Sequence, residues 1–222
     1  MKAYGIDIAS RIINYDSAIR QKSDVARLII GIARFLNISN DLPQLESLPD
    51  DWSSNCIRLI IYIDKMSRVF ICEKEKLHTF HFPFQIIKED QCMVLFEGEN
   101  ITSAICSILF SVFEKLSDDD TLETVLEKYW ETVSDLEITM HDNHLCGKLI
   151  TFLLSFEPGY VRFDLDETND TGSVHPREHL DINYSSGSTF KLGLSKALNY
   201  DELIDILNIN SPCHYLQKIN KT

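Results

Sequence analysis

The chain has no glycine-rich phosphate loop: Gly172, Gly187 and Gly193 stand isolated, and neither G-x-x-x-x-G-K-S/T nor G-x-G-x-x-G occurs. Both motifs need closely spaced glycines to bring backbone amides onto phosphates, so P-loop and dinucleotide chemistry are set aside. No G-x-S-x-G nucleophile elbow occurs either, which removes the α/β-hydrolase mechanism. Six cysteines, at 56, 72, 92, 106, 146 and 213, form no C-x-x-C pair and lie mostly in apolar runs. They read as buried, reduced thiols of a cytoplasmic protein. No apolar run approaches the roughly 18 to 20 residues of a membrane span. The start, MKAYGIDIASRIINYD, lacks the basic and then unbroken apolar regions of a secretory signal, so a cytoplasmic chain without membrane contact is expected.

Positive charge is also scarce, with 21 Lys and Arg against 34 Asp and Glu and a formal charge of −13. The surplus is concentrated: residues 117–142 hold nine acids and one lysine, and residues 157–181 hold seven acids and two arginines. Such a field opposes direct nucleic-acid binding, whose affinity rests on cations neutralising phosphates. It suits a protein partner with a basic surface and leaves a metal-assisted nuclease open.

What is present is ample for a core, at 222 residues and 44% hydrophobic. Ile19, Val25, Ala26, Ile29, Ile32, Ala33 and Leu36 recur at helical spacing and predict an amphipathic helix from Asp16 to about Ile38. Residues 37–54, with Pro43 and Pro49, read as a solvated connection. Four strands in an antiparallel meander follow over 56–63, 68–72, 79–86 and 92–96. A central pair of amphipathic helices covers Ile101–Leu116 and Leu122–Val133, the second capped by Ser117 with Asp118 to Asp120. Residues 136–156 fit a buried strand or a helix, and Asn199 caps a short C-terminal helix. The expected fold is a single α+β domain over 1–222 built on antiparallel sheet, with a soft boundary near residue 100.

Residues 160–194, YVRFDLDETNDTGSVHPREHLDINYSSGSTFKLGL, alternate apolar and polar. As three strands they put Val161, Phe163, Leu165, Leu180, Ile182, Tyr184, Phe190, Leu192 and Leu194 on one face. The other face carries Arg162, Asp164, Asp166, His179, Asp181, Asn183 and Lys191. Imidazoles and carboxylates converging on one point make a divalent-metal site, so Asp164, His179 and Asp181 are candidate ligands, with His175 to complete the shell or shuttle a proton. Arg162 and Lys191 would stabilise phosphoryl charge. The plain alternative is polar decoration of a solvent-facing sheet. Pro176 breaks any helical H-E-x-x-H logic, and Thr189 stands where an acid-x-lysine nuclease motif needs its acid before Lys191. His141-Asp142-Asn143-His144 beside Cys146 reads as a polar turn, with a thiolate–imidazole pair as the chemical alternative.

Arg162-Phe163-Asp164, followed by His175-Pro176 and His179-Leu180-Asp181-Ile182, resembles the closing motif of uncharacterised prokaryotic proteins encoded near toxin–antitoxin or phage-defence genes. Relatives of that kind often carry a second histidine where Asp181 stands. The resemblance covers roughly 160–194 and implies a bacterial defence context without an activity. Two expectations follow. The first is a non-catalytic accessory, regulatory or neutralising subunit whose acidic segments meet a basic partner. The second is a metal-dependent phosphodiester or nucleotide hydrolase using Arg162, Asp164, His175, His179, Asp181 and Lys191.

Overall fold

The computed structural model describes residues 2–8, 19–39, 44, 57–63, 66–73, 75–89, 92–117, 119–172 and 174–215. The expected helical start at Asp16, most of the 37–54 connection, Cys56 and Asp118 lie outside these residues. The fold is α+β and its main sheet is antiparallel throughout. Seven strands run in the order β1 (Lys2–Ile8), β2 (Ile57–Ile63), β3 (Arg68–Glu73), β4 (Lys76–His81), β8 (Val161–Leu165), β9 (Glu178–Ile182) and β10 (Phe190–Gly193). A smaller sheet joins β5 (Gln85–Lys88), β6 (Cys92–Phe96) and β7 (Glu99–Asn100). Helices α1 (Lys22–Ile38), α2 (Ser103–Glu114), α3 (Leu122–Val133), α4 (Met140–Ser155) and α5 (Tyr200–Leu207) complete the described elements.

Register decides which side chains share a face. Leu59, Ile71, His78, Arg162, Asp181 and Lys191 form one row across β2, β3, β4, β8, β9 and β10. Towards β2 and β3 this face is apolar: Leu59, Ile61, Val69, Ile71 and Phe80 join the larger core with the buried stripe of α1. Each such side chain contributes on the order of 1.5–3 kcal/mol when fully buried. Across β4, β8 and β9 the same face becomes polar. On the opposite face Ile60, Phe70, Leu77, Phe163 and Leu180 form a second core with Leu203 and Ile204 of α5. The expected apolar side of 160–194 is thus present, and β8, β9 and β10 are its strands.

Four details differ from expectation, each for a physical reason. The 79–86 strand is two strands in different sheets, because Pro83 has no amide to donate and breaks the ladder between His81 and Gln85. Within residues 136–156, where strand and helix both fit, Met140–Ser155 form helix. Leu145, Cys146, Leu149, Ile150 and Leu153 bury one helical face, and Thr139 Oγ1 accepts from Asp142 N at 3.0 Å. The His141–His144 segment is therefore the first turns of α4 rather than a loop. The cap of α3 is Thr121, whose Oγ1 accepts from Thr124 N at 3.4 Å. Asp120 instead folds onto Ser117 N at 2.6 Å and pairs with Lys128, which holds its carboxyl below the usual range. Finally, Tyr184 leaves the apolar face. Asn183 adopts φ +68°, which interrupts the two-residue period, and Tyr184 packs beside the larger core with its ring edge-on to Tyr160 at 5.8 Å.

The cap assignment predicts that Thr121→Ala lowers stability by about 1 kcal/mol, whereas Ser117→Ala costs less than about 0.5 kcal/mol. Urea unfolding of both variants checks this, and the reverse order contradicts it.

Candidate metal centre

Five polar side chains among the described residues are buried, and four of them, His78, Asp164, His179 and Asp181, stand on the polar half of this one sheet face. Burial of that kind demands partners. Arg162 and Asp181 are opposite one another on β8 and β9, as are Asp164 and His179 one row along. One ligand atom each from Asp164, His179 and Asp181 lies within 4.8 Å of the others. The register brings together all three of the predicted metal ligands.

Around these atoms the contacts form one network. Arg162 Nε donates to Asp164 Oδ2 at 2.9 Å, and its Nη2 spans Asp164 and Asp181. Lys191 Nζ sits 2.7 Å from Asp181 Oδ1 and 2.8 Å from His179 Nε2. His179 Nε2 lies 3.5 Å from Asp164 Oδ2 and 3.8 Å from Asp181 Oδ2. Asp164 Oδ1 is buried without a hydrogen-bond partner. A carboxylate oxygen withdrawn from water and left unpaired is costly, and it is the atom a bound cation would satisfy.

The orientation of His179 has a traceable cause. Its Nδ1 lies 2.8 Å from the carbonyl of Pro176, so Nδ1–H is the donor and the Nε2 lone pair faces the two aspartates and Lys191. A backbone carbonyl behind a histidine is the arrangement that orients metal-binding imidazoles. Pro176 in turn lies over β10 at Gly193, where a Cβ would stand 2.8 Å from Pro176 Cγ. Glycine is what lets the loop close there. Thr189 leaves no acid two residues before Lys191, and Asp181 stands directly opposite Lys191 on the neighbouring strand.

His175 does not join the ligand group. Its ring stands edge-on to His179 at 4.8 Å, and its Nε2 is 3.5 Å from Asp166 Oδ2. It stands outside the converging group of Asp164, His179 and Asp181, which leaves proton shuttling as its expected role. Two further residues belong to the site and come from outside the 162–191 set: His78 Nδ1 and the Tyr160 hydroxyl are 2.7 Å apart beside Arg162. His78 could be found only through its buried place on β4. The thiolate–imidazole alternative has no support, since burial raises the Cys146 thiol to about 11 and His141 Nε2 pairs with Glu99 at 3.3 Å.

Electrostatics follow from this layout. Burial alone would raise the Asp181 carboxyl, yet the Lys191 hydrogen bond and the charges of Arg162 and Lys191 outweigh it and hold the group below its usual value. Burial lowers His78 to about 3, helped by the nearby charges of Arg162 and Lys76. Burial also raises the Tyr160 phenol, and the two aspartates add to this against the opposing effect of Arg162. Beside the network opens a cleft of about 560 Å³ lined by Arg20, Tyr160, Arg162, Asn183, Tyr184 and Lys191, among others. Comparison of the chain with protein-family models, curated proteins and solved structures gives no match.

A histidine held neutral by the fold takes up a proton on unfolding below its ordinary value of about 6.5, so its contribution to stability is full above that pH. The contribution is lost progressively as the pH falls towards 3, where the folded His78 would itself protonate. Urea midpoints measured from pH 7 to pH 4 are expected to fall, and His78→Gln is expected to flatten that slope. An unchanged slope in the variant contradicts the assignment.

Proposed function

We propose that this chain is a divalent-cation-dependent hydrolase of phosphate esters, of the phosphodiester or nucleotide class, with its centre on β8, β9 and β10. The observation that carries the reading is the convergence of Asp164, His179 and Asp181 within 4.8 Å, with a buried Asp164 oxygen left for a cation. A carboxylate–imidazole–carboxylate set suits zinc or manganese. A cation held there supplies Lewis acidity and offsets negative charge on a phosphoryl group.

The chain's own residues supply the rest. Lys191 Nζ occupies the space between two prospective ligand atoms, 2.7 and 2.8 Å from them, and must move aside when a cation enters. Once displaced, it joins Arg162 as a donor towards the cleft that both residues line. Both side chains then face developing phosphoryl charge in a partly enclosed place, where such donors are worth more than in water. Pro176 and Gly193 hold the imidazole, and His78 and Tyr160 brace Arg162 from behind.

A second reading is a non-catalytic accessory or neutralising subunit of a bacterial defence or toxin–antitoxin-like system, bound to a basic protein partner. The exposed Glu123, Glu127 and Glu131 of α3, and Asp135 just after it, with Trp130, itself 55% exposed, support it. Reversing three of these charges to lysine is expected to release such a partner during co-purification, and a partner retained by that variant contradicts this reading.

The test of the first reading is hydrolysis of bis(p-nitrophenyl) phosphate and of a nucleotide panel by chelator-treated protein with Mn2+, Zn2+ or Mg2+ restored. Metal-dependent turnover is expected, falling about 100-fold or more in Asp164→Asn and His179→Ala. Lys191→Met is expected to bind Mn2+ roughly tenfold more tightly, the equivalent of about 1.4 kcal/mol, and to lose turnover. Absence of metal-dependent turnover on every substrate contradicts the proposal.

A further inference from the structure

The cleft beside the centre is unlike the rest of this chain. Around it gather Arg20, Arg162 and Lys191, with Asp181 the acid among its lining residues, in a protein whose formal charge is −13. Cations concentrated against an acidic background mark a place for an anion. Two of the three are already committed to Asp164 and Asp181. A divalent cation taking over those carboxylates leaves Arg162 and Lys191 as surplus positive charge, to which Arg20 adds. The anion expected there is compact and highly charged, as phosphate is.

Size and lining argue against phosphate alone. About 560 Å³ lies within the range of small-molecule pockets and well exceeds a bare oxyanion. Its walls include Tyr160 and Tyr184, set edge to face at 5.8 Å. Aromatic faces take up flat heterocycles, and the amide of Asn183 with the hydroxyls of Ser186 and Thr189 offers donors and acceptors for a sugar. A long polyanion is disfavoured by the two acidic stretches of the chain, which repel a phosphate backbone extending beyond the cleft.

We infer that this cleft is a nucleoside-monophosphate site, with Arg20, Arg162 and Lys191 on the phosphate and Tyr184 against the base. The inference rests on the hydrolase reading for its chemistry and names the substrate as a single nucleotide or its ester rather than a nucleic-acid duplex. It also accounts for the break in alternation at Asn183. Had Tyr184 followed the two-residue period, it would lie on the α5 side of the sheet, and the cleft would lack that wall.

Calorimetric titration of the intact protein, before and after Mn2+ loading, tests it with the four 5′-nucleoside monophosphates, the corresponding nucleosides and inorganic phosphate. At least one nucleotide is expected to bind, with its nucleoside and inorganic phosphate each at least tenfold weaker. Arg20→Ala is expected to weaken the nucleotide about tenfold and leave Mn2+ uptake alone, as loss of one charge-assisted contact should. Tyr184→Ala is expected to weaken the nucleotide and spare inorganic phosphate. Mn2+ uptake without binding of any nucleotide overturns the inference while the hydrolase reading stands. Equal affinity for nucleoside and nucleotide, or nucleotide binding indifferent to both substitutions, also overturns it. Nucleotide binding without Mn2+ uptake supports the cleft and overturns the hydrolase reading instead.

Discussion

Asp164 and Asp181 place two carboxylates side by side at 4% and 6% exposure, and the whole polar half of the sheet is organised around that repulsion. Two negative charges withdrawn from water need positive charge within a few ångströms. Arg162 bridges both, Lys191 approaches Asp181, and His179 Nε2 lies 2.8 Å from Lys191 Nζ. Removing Asp181 would leave Lys191 without its carboxylate partner. Removing one cation would leave a carboxylate in the same state. Such a cluster is expensive to keep for stability alone, since well-packed apolar residues of similar volume often do as well.

The fold explains why this cluster can exist. One face of a continuous antiparallel sheet changes character along its width, apolar over β2 and β3 beneath α1 and polar over β8 to β10. The opposite face carries a second apolar core that includes Leu203 and Ile204 of α5, with Arg68 donating to Thr79 on β3 and β4. The segment between β4 and β8 supplies β5 to β7 and α2 to α4, and the helices of that segment enlarge the main core without adding strands to the main sheet. The site is therefore assembled from short, adjacent strands with tight register, while the larger core is built elsewhere. That separation allows buried charge in one place without loosening the other.

Much of this was legible in the residues, and the rest was not for definite reasons. The alternation in 160–194 marked β8, β9 and β10 and the ligand set Asp164, His179 and Asp181, because a period of two assigns faces without knowledge of partners. It failed at Tyr184, where a positive φ at Asn183 shifts the phase, and asparagine tolerates that conformation too commonly to announce it. Convergence itself was beyond reach, since it depends on the pairings Arg162 with Asp181 and Asp164 with His179. His78 lies 82 residues before Tyr160, and their contact exists only because β4 pairs with β8 across the helical segment. The run at 149–156 is ambiguous because its six apolar residues fit either period, and only the longer spacing from Leu145 to Leu153 selects a helix. His175 was grouped with His179 by proximity in the chain, yet Pro176 turns its ring onto the imidazole face and towards Asp166.

The central claim is that the buried pair of carboxylates with His179 forms a cation site, with Lys191 lying in its space. Equilibrium dialysis of chelator-treated protein against Mn2+ tests it most directly. The account predicts uptake of a single ion per chain, abolished by Asp164→Asn and by His179→Ala and retained by His175→Ala. No uptake at millimolar Mn2+, or uptake that survives both of the first two substitutions, contradicts it.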